Sequence, residues 1–385
     1  MHPNRVLITG AGGFIGGRLT QRLVLNAQTD VRPLVHRIEG PGSMRLARLP
    51  VDIVHGSVTD RAQMDTVIEG CDAIVHCAVG TRESIIQGTE ILLDEAIEHG
   101  VETFVHMSSA SVHGHHLDGI VREESPIEPE TPYARWKATV ERRLAEHTHG
   151  TNLDPTILRP YIVFGPYSQF VTTPLEAISN GGILADGGRG TLKQSYVDNL
   201  IDAILLSLDD PAARGETFLV SDDEQITWRE YYEDIHAMFD QAPPLREMSA
   251  YRIRSRQTAA VAADSVLPPI NILRGIVGSD DVHSTVVEEM RRAPWANWIY
   301  VRFPNRIQSF VQSRINGDEP VPTTSGENDD EPPYPLPSKH FTQLHRSTGQ
   351  VSNRKLKEVL GWEQRVSFDA SMENIADWAA YTERV

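Results

Sequence analysis

The stretch "LITGAGGFIGGRL", Leu7 to Leu19, stands almost at the front of this 385-residue chain. Gly10, Gly13 and Gly16 fit G-x-x-G-x-x-G, directly after an apolar run and at the opening of a helical pattern, Phe14 to Asn26. Read as strand, glycine turn and helix, the stretch gathers free backbone N–H groups and a helix N-terminus at one point, which suits a pyrophosphate. Gly13 then lets the backbone approach the phosphates, and Gly16 lets helix and strand pack closely. The competing reading is a plain structural turn, and the glycines alone do not decide.

The rest of the first half alternates short apolar runs with helical patterns. "RVLITG", "DVRPLVHR", "VDIVHGS", "CDAIVHCAV", "ETFVHMSS" and "DPTILRPYIVFG" read as six strands. "GTEILLDEAIEHG" reads as the helix between the fourth and fifth, ending on Gly100 as a C-cap. Such alternation predicts an α/β fold, a Rossmann-type doubly wound parallel sheet with ligands beyond the carboxyl ends of its strands. The rhythm changes after about residue 240. Residues 283–315 look helical, 316–340 reads as a flexible acidic, Pro-rich loop, and "NRKLKEVLGW" and "SMENIADWAAY" return to helix. The expected division is a dinucleotide-binding domain over 1–166, with return segments near 191–222, and a smaller C-terminal substrate-binding lobe over 167–385. An insert of about 241–345 falls within that lobe.

Composition narrows the partners. Lys and Arg number 36 against 53 Asp and Glu, a net charge of -17, which would repel nucleic acid and anionic lipid. No apolar run approaches the roughly 18 residues of a membrane span. Two cysteines, Cys71 and Cys77, make no disulfide framework, and the start has no secretory pattern. The expectation is a cytoplasmic protein acting on a small molecule. "HGHH", His113 to His116, lacks the carboxylate or Cys partners of a metal site, so no metal is expected.

A second constellation is "PYARWK". Tyr133 and Lys137 stand four apart on a helix that opens with Thr131 as N-cap and Pro132 first, so both side chains share a face. A phenol ionises near 10. An ammonium beside it favours phenolate and makes the tyrosine usable as acid or base near neutrality. Upstream, "HMSSASVHG" puts serines at the end of the fifth strand. Trp136 on the same helix reads as packing.

"TGAGGFIG", "SSASVHG", "PYARWK", "ILRPYIVFGP", "YVDNLIDAI" and "LGWEQRVSFDASMENIADW" stand in the order found in the extended short-chain dehydrogenase/reductase family. That family is also called the NAD-dependent epimerase/dehydratase family, and the chain resembles it over about residues 5–240 and 350–380. The resemblance implies a bound nicotinamide dinucleotide and a Ser-Tyr-Lys set at Ser109, Tyr133 and Lys137, with Ser108 as the alternative serine. It carries cofactor contacts onto Gly10, Gly13, Phe14, Ile15 and Gly16, onto His36, Arg37, Ser57 and Val58, and onto Cys77, Ala78, Val79 and Pro160, besides Tyr133 and Lys137. Lys137, with the nicotinamide, is expected to keep the Tyr133 phenol low. Cys77, at a strand end where the family's cofactor packs, is not expected to be a nucleophile.

Departures from the family pattern concern specificity. Where NAD users often carry Asp at the end of the second strand, Val35 is followed by His36 and Arg37, which favours NADP over NAD. Dehydratases carry Asp-Glu after the serine; Ala110 and Ser111 stand here, so dehydration is not expected. Ile162 replaces an Asn that helps hold a sugar nucleotide, and the usual Arg near "TLKQSYVDN" is missing, with Arg189 and Lys193 close by. Substrate contacts are accordingly expected at Ser109, His113, Ile162, Arg189 and Lys193. The leading expectation is a nucleotide-sugar epimerase or reductase, the alternative a reductase or dehydrogenase of a non-sugar alcohol or ketone. An inactive cofactor-binding sensor is the third. Relatives dimerise through the helix bearing Tyr133, so a homodimer is expected, with Ala134, Ala138 and Leu144 at its interface.

Overall fold

The computed structural model describes residues 3–26, 29–114, 118–256 and 337–384. The chain divides into two compact units, Met1–Ala250 with Leu336–Val385, and Tyr251–Pro335.

The first unit is built around a seven-stranded sheet. In chain order the strands are β1 (Arg5–Thr9), β2 (Asp30–Val35), β3 (Val54–His55), β4 (Ala73–His76), β5 (Thr103–Met107), β6 (Thr156–Pro160) and β7 (Thr217–Val220). They lie in the order β7-β6-β5-β4-β1-β2-β3, all pairings parallel. Val6, Leu7 and Ile8 of β1 are wholly buried, as expected of a strand covered on both faces. One core lies between the sheet and α1 (Phe14–Asn26) together with the lobe beyond it. The other lies under α3 (Arg61–Ile68), α4 (Arg82–Glu98) and α5 (Pro132–Thr148), with α2 (Pro41–Leu46) following β2. Strand order runs outward from β1 in opposite directions, so the crevice at its carboxyl end is the topological switch point, and the glycine turn sits there.

Several elements differ from the sequence reading. "DPTILRPYIVFG" is two strands, because Tyr161 interrupts it. β6 pairs with β5 and β7, whereas Ile162–Phe164 pairs with Gln194–Tyr196 in a separate ladder. β3 is only two residues long. α4 begins at Arg82, where the Thr81 side chain accepts from Ser84 N–H at 3.2 Å, and the chain turns at Gly100 with φ of +68°. Arg246–Met248, read as lacking regular pattern, runs parallel to Ile183–Ala185. The helices expected over 283–315 lie outside the described residues. Of the loop expected over 316–340, residues 316–336 lie outside the described residues, and Ser338 caps the helix Lys339–Leu344 by accepting from Phe341 N–H. Among the described residues no helix is long and apolar enough to cross a membrane.

Candidate active site

The glycine turn is built by necessity of space. A Cβ on Gly10 would lie 2.7 Å from Ala78 N, and Gly10 holds φ of +68°. A Cβ on Gly16 would lie 2.5 Å from the Gly10 carbonyl oxygen, so α1 meets β1 closely only with glycine there. α1 opens with no acidic residue in its first turn, leaving its positive end open to an anion. These residues fit the diphosphate of a dinucleotide. Phe14 and Ile15, half-buried, begin the helix.

β4 ends beside this turn. His76 is buried, with Nδ1 2.7 Å from Thr9 Oγ1 and Nε2 2.9 Å from Thr89 Oγ1. Thr89 spends its proton on the Ile85 carbonyl at 2.6 Å, so it accepts from His76 Nε2–H and Thr9 donates to Nδ1. Burial, then the Lys137 charge, lowers His76 to about 3, which keeps it neutral. His106, its neighbour on β5, is equally buried and has no partner for either ring nitrogen among the described residues. Burial pushes the Cys77 thiol up to about 12, which disarms it as a nucleophile. Ala78 is half-buried and Val79 exposed. At the second strand's end, Val35 is buried, while His36 and Arg37 are exposed. Val58 is buried, and Ser57 hydrogen-bonds Thr59, Oγ to Oγ1, at 2.7 Å.

The serines follow directly on β5. Ser108 Oγ donates to Glu141 Oε1 of α5. Ser109 instead caps the short 3-10 turn Ala110–His113: its Oγ accepts from Ser111 N–H at 3.2 Å and lies 2.9 Å from Ser111 Oγ. α5 starts as expected, with Thr131 Oγ1 accepting from Ala134 N–H at 3.1 Å and Pro132 first. One turn in, Lys137 is buried, and its Nζ donates to the Met107 carbonyl at 2.6 Å, two residues before Ser109. Its ammonium lies 6.0 Å from the centroid of the Tyr133 ring. The structure therefore brings Ser109, Tyr133 and Lys137 to the carboxyl end of β5. Pro160, buried, closes β6 alongside.

The electrostatics differ from expectation in one respect. Burial lowers Lys137 to about 8, against the opposing pull of Cys77 and Glu141. Tyr133 is raised by burial to about 12 rather than lowered. The reason is that Lys137 faces the ring and gives its hydrogen bond to the Met107 carbonyl, leaving desolvation as the dominant effect on the phenol.

Three of the expected substrate contacts have partners within the chain. His113 is buried: Nδ1 lies 3.0 Å from the Pro126 carbonyl and Nε2 3.1 Å from Arg159 Nη1. Arg159 can only donate, so His113 is neutral with its proton on Nδ1, and burial lowers its pKa accordingly. Ile162 is buried in the core through its strand pairing with Gln194. Lys193 is buried, tethered to Ser347 Oγ at 2.7 Å, and lowered by burial to about 8. Arg189 is exposed. Sequence reasoning missed Glu141 and Arg159. Glu141 stands four residues past Lys137, a spacing that places it on the same helix face. Ala134 and Leu144, expected at a dimer interface, are buried within the chain itself because α5 packs them inward, while Ala138 is half-buried. Trp136 packs against the core beneath α4 and α5.

Residues 6–221 match the model of the NAD dependent epimerase/dehydratase family. The chain belongs to this family. Its members are enzymes of the extended short-chain dehydrogenase/reductase class, and NAD(P) dependence comes with membership. The chain is 27% identical over 261 residues to a UDP-glucose 4-epimerase of Vibrio cholerae, covering 62% of this chain and 76% of that one. It is 36% identical over 186 residues to a dTDP-glucose 4,6-dehydratase of Streptomyces niveus, covering 42% and 55%. The solved UDP-glucose 4-epimerase of Thermotoga maritima, with UDP-glucose, superposes with a TM-score of 0.66 at 18% identity, covering 98% of this chain and 99% of that one. That likeness is one of fold.

Proposed function

We propose that this epimerase/dehydratase-family chain is a nucleotide-sugar epimerase or reductase working at a carbinol or ketone carbon. The observation that carries the reading is the placing of Tyr133 and buried Lys137 on one face of α5, against the strand end that bears Ser109 and beside the glycine turn. A bound nicotinamide dinucleotide supplies hydride transfer. Ser109 Oγ orients the substrate oxygen, and Tyr133 gives or takes its proton. Lys137 holds the cofactor ribose, its ammonium 6.0 Å from the centroid of the Tyr133 ring. Ser108 is spent on Glu141, which favours Ser109 as the serine of the set. Ala110 and Ser111 offer no acid beside Ser109, which favours epimerisation or reduction over dehydration.

NADP is the proposed cofactor, supported by the exposed Arg37 and the lack of a carboxylate at Val35. Titration of NADPH and NADH should show tighter binding of the former, with Arg37→Ala narrowing the gap by about 1–3 kcal/mol. Equal affinities, unmoved by the substitution, would reject it. The substrate lobe is proposed to span 167–385, the assembly to be a homodimer and the setting cytoplasmic, the last supported by two free cysteines. Light scattering giving one chain's mass at micromolar concentration would remove the dimer.

A second reading, a reductase or dehydrogenase of a non-sugar alcohol or ketone, is favoured by the burial of Ile162 and the tethering of Lys193, which leave the exposed Arg189 as the nearest expected cation. Incubation with a panel of UDP- and dTDP-sugars and simple ketones, followed by reduced-nicotinamide absorbance and isotope wash-in, separates the two. Turnover of ketones alone would replace the nucleotide-sugar reading.

A further inference from the structure

Two residues the reaction does not use meet at the flank of the glycine turn. Tyr167 holds φ of +73°, a left-handed conformation that is strained for a bulky residue, and it is 47% exposed. The edge of Trp378 meets its ring at 5.1 Å between centroids, with an interplanar angle of 63°. The Arg45 guanidinium lies over the ring at 4.3 Å from its centroid. Among the described residues Arg45 pairs with no carboxylate, although the chain carries an excess of acid.

The elements bearing the pair reach the turn from different strands. Arg45 rides on α2, whose Gly42 abuts the Gly12 carbonyl so closely that a side chain there would collide with it. Tyr167 stands two residues past Gly165, where a Cβ would lie 3.6 Å from the Phe14 ring at the start of α1. Gly12 and Phe14 belong to the segment that fits the diphosphate. We propose that Arg45 and Tyr167 form a latch on that diphosphate. Arg45 turns its fork to the phosphate oxygens when a dinucleotide is bound while its flat face stays on the Tyr167 ring, and the pair together slow its escape. A guanidinium suits both contacts at once: its flat face stacks on an aromatic ring and its fork matches two phosphate oxygens. The strained Tyr167 backbone keeps the ring beneath the guanidinium.

The inference rests on the dinucleotide reading, and the experiment separates the two. NADH and NADPH are loaded on the intact chain and their release is followed by fluorescence in stopped-flow dilution. Arg45→Ala and Tyr167→Gly should each speed release of both cofactors by roughly tenfold, with the double variant little faster than either. Glycine takes positive φ without strain, so the second variant keeps the loop while removing the ring. Tyr167→Phe should release like the native chain, because the ring and not the hydroxyl carries the contact. Acceleration confined to NADPH would make Arg45 a 2′-phosphate contact and overturn the latch, as would unchanged release in both variants. A native chain that holds neither cofactor would overturn the dinucleotide reading itself.

Discussion

Glu141 grips Arg159 with both carboxylate oxygens, at 3.0 Å to Nε and 2.6 Å to Nη2, where each side chain is less than a tenth exposed. The same carboxylate accepts from Ser108, and Arg159 reaches on to His113. The helix carrying Lys137 is thereby fastened to the strand end carrying Ser109. Glu141→Ala should cost about 3–5 kcal/mol, because it leaves a guanidinium buried without its counter-charge. Replacing both by apolar residues, as in Glu141→Leu with Arg159→Met, should cost far less. Equilibrium urea unfolding compares the three, and a single variant as stable as the double would contradict the argument.

Tyr133→Phe removes one oxygen and leaves Lys137 and the glycine turn in place. Turnover should fall by about 10²–10⁴, while cofactor affinity stays within a few fold. Near-native turnover on any accepted substrate would show that another group moves the proton.

Lys137, lowered to about 8, is an ammonium below that pH and loses its charge as pH rises through it. Cofactor affinity should therefore hold from pH 6 to 7.5 and weaken above about 8. Lys137→Arg should bind more weakly at neutral pH but lose this alkaline limb, since guanidinium stays charged. A limb that persists in the arginine variant belongs to some other group.

Acid should destabilise the fold through its buried imidazoles. Burial lowers His345 to about 4, and His76 is lowered to about 3, against about 6.5 in an unfolded chain. Both folded values are depressed, so their contribution is present above pH 6.5 and lost as pH falls, when only the unfolded chain takes up protons. By pH 5 each should have cost about 2 kcal/mol relative to pH 7. Urea unfolding at the two pH values checks this, and His345→Leu should make the decline shallower by about that amount. Equal declines in the native and variant chains would exclude His345.

The parts of the site legible in the sequence are those set by local geometry. Gly16 announces a tight turn because its steric demand, the Gly10 carbonyl, lies within seven residues, and Tyr133 and Lys137 announce a shared face through helical spacing. The partners that sequence does not announce come from distant segments. The second nitrogen of His113 meets Arg159, 46 residues on. Ile162 pairs with Gln194 of another strand. Lys137 alone would hold the Tyr133 phenol low, but the Met107 carbonyl, fixed by the sheet, draws the ammonium to itself.

Asp186 receives Ala250 N–H at 2.8 Å on one oxygen and Arg346 Nε at 2.8 Å on the other. The strand Arg246–Met248 and the Gly190–His345 backbone bond, at 2.8 Å, secure the same two stems to residues 183–190. Chain leaving near 250 and chain returning near 340 are thus moored to one short segment. In evolutionary terms, stems moored in this way should let the stretch between them be lengthened, traded or lost without re-threading the sheet. Replacing residues 257–336 by a short Gly/Ser linker should leave a cooperatively folding remainder that still binds dinucleotide. A remainder that cannot fold would mean that the stretch is bound into the rest as a necessary part.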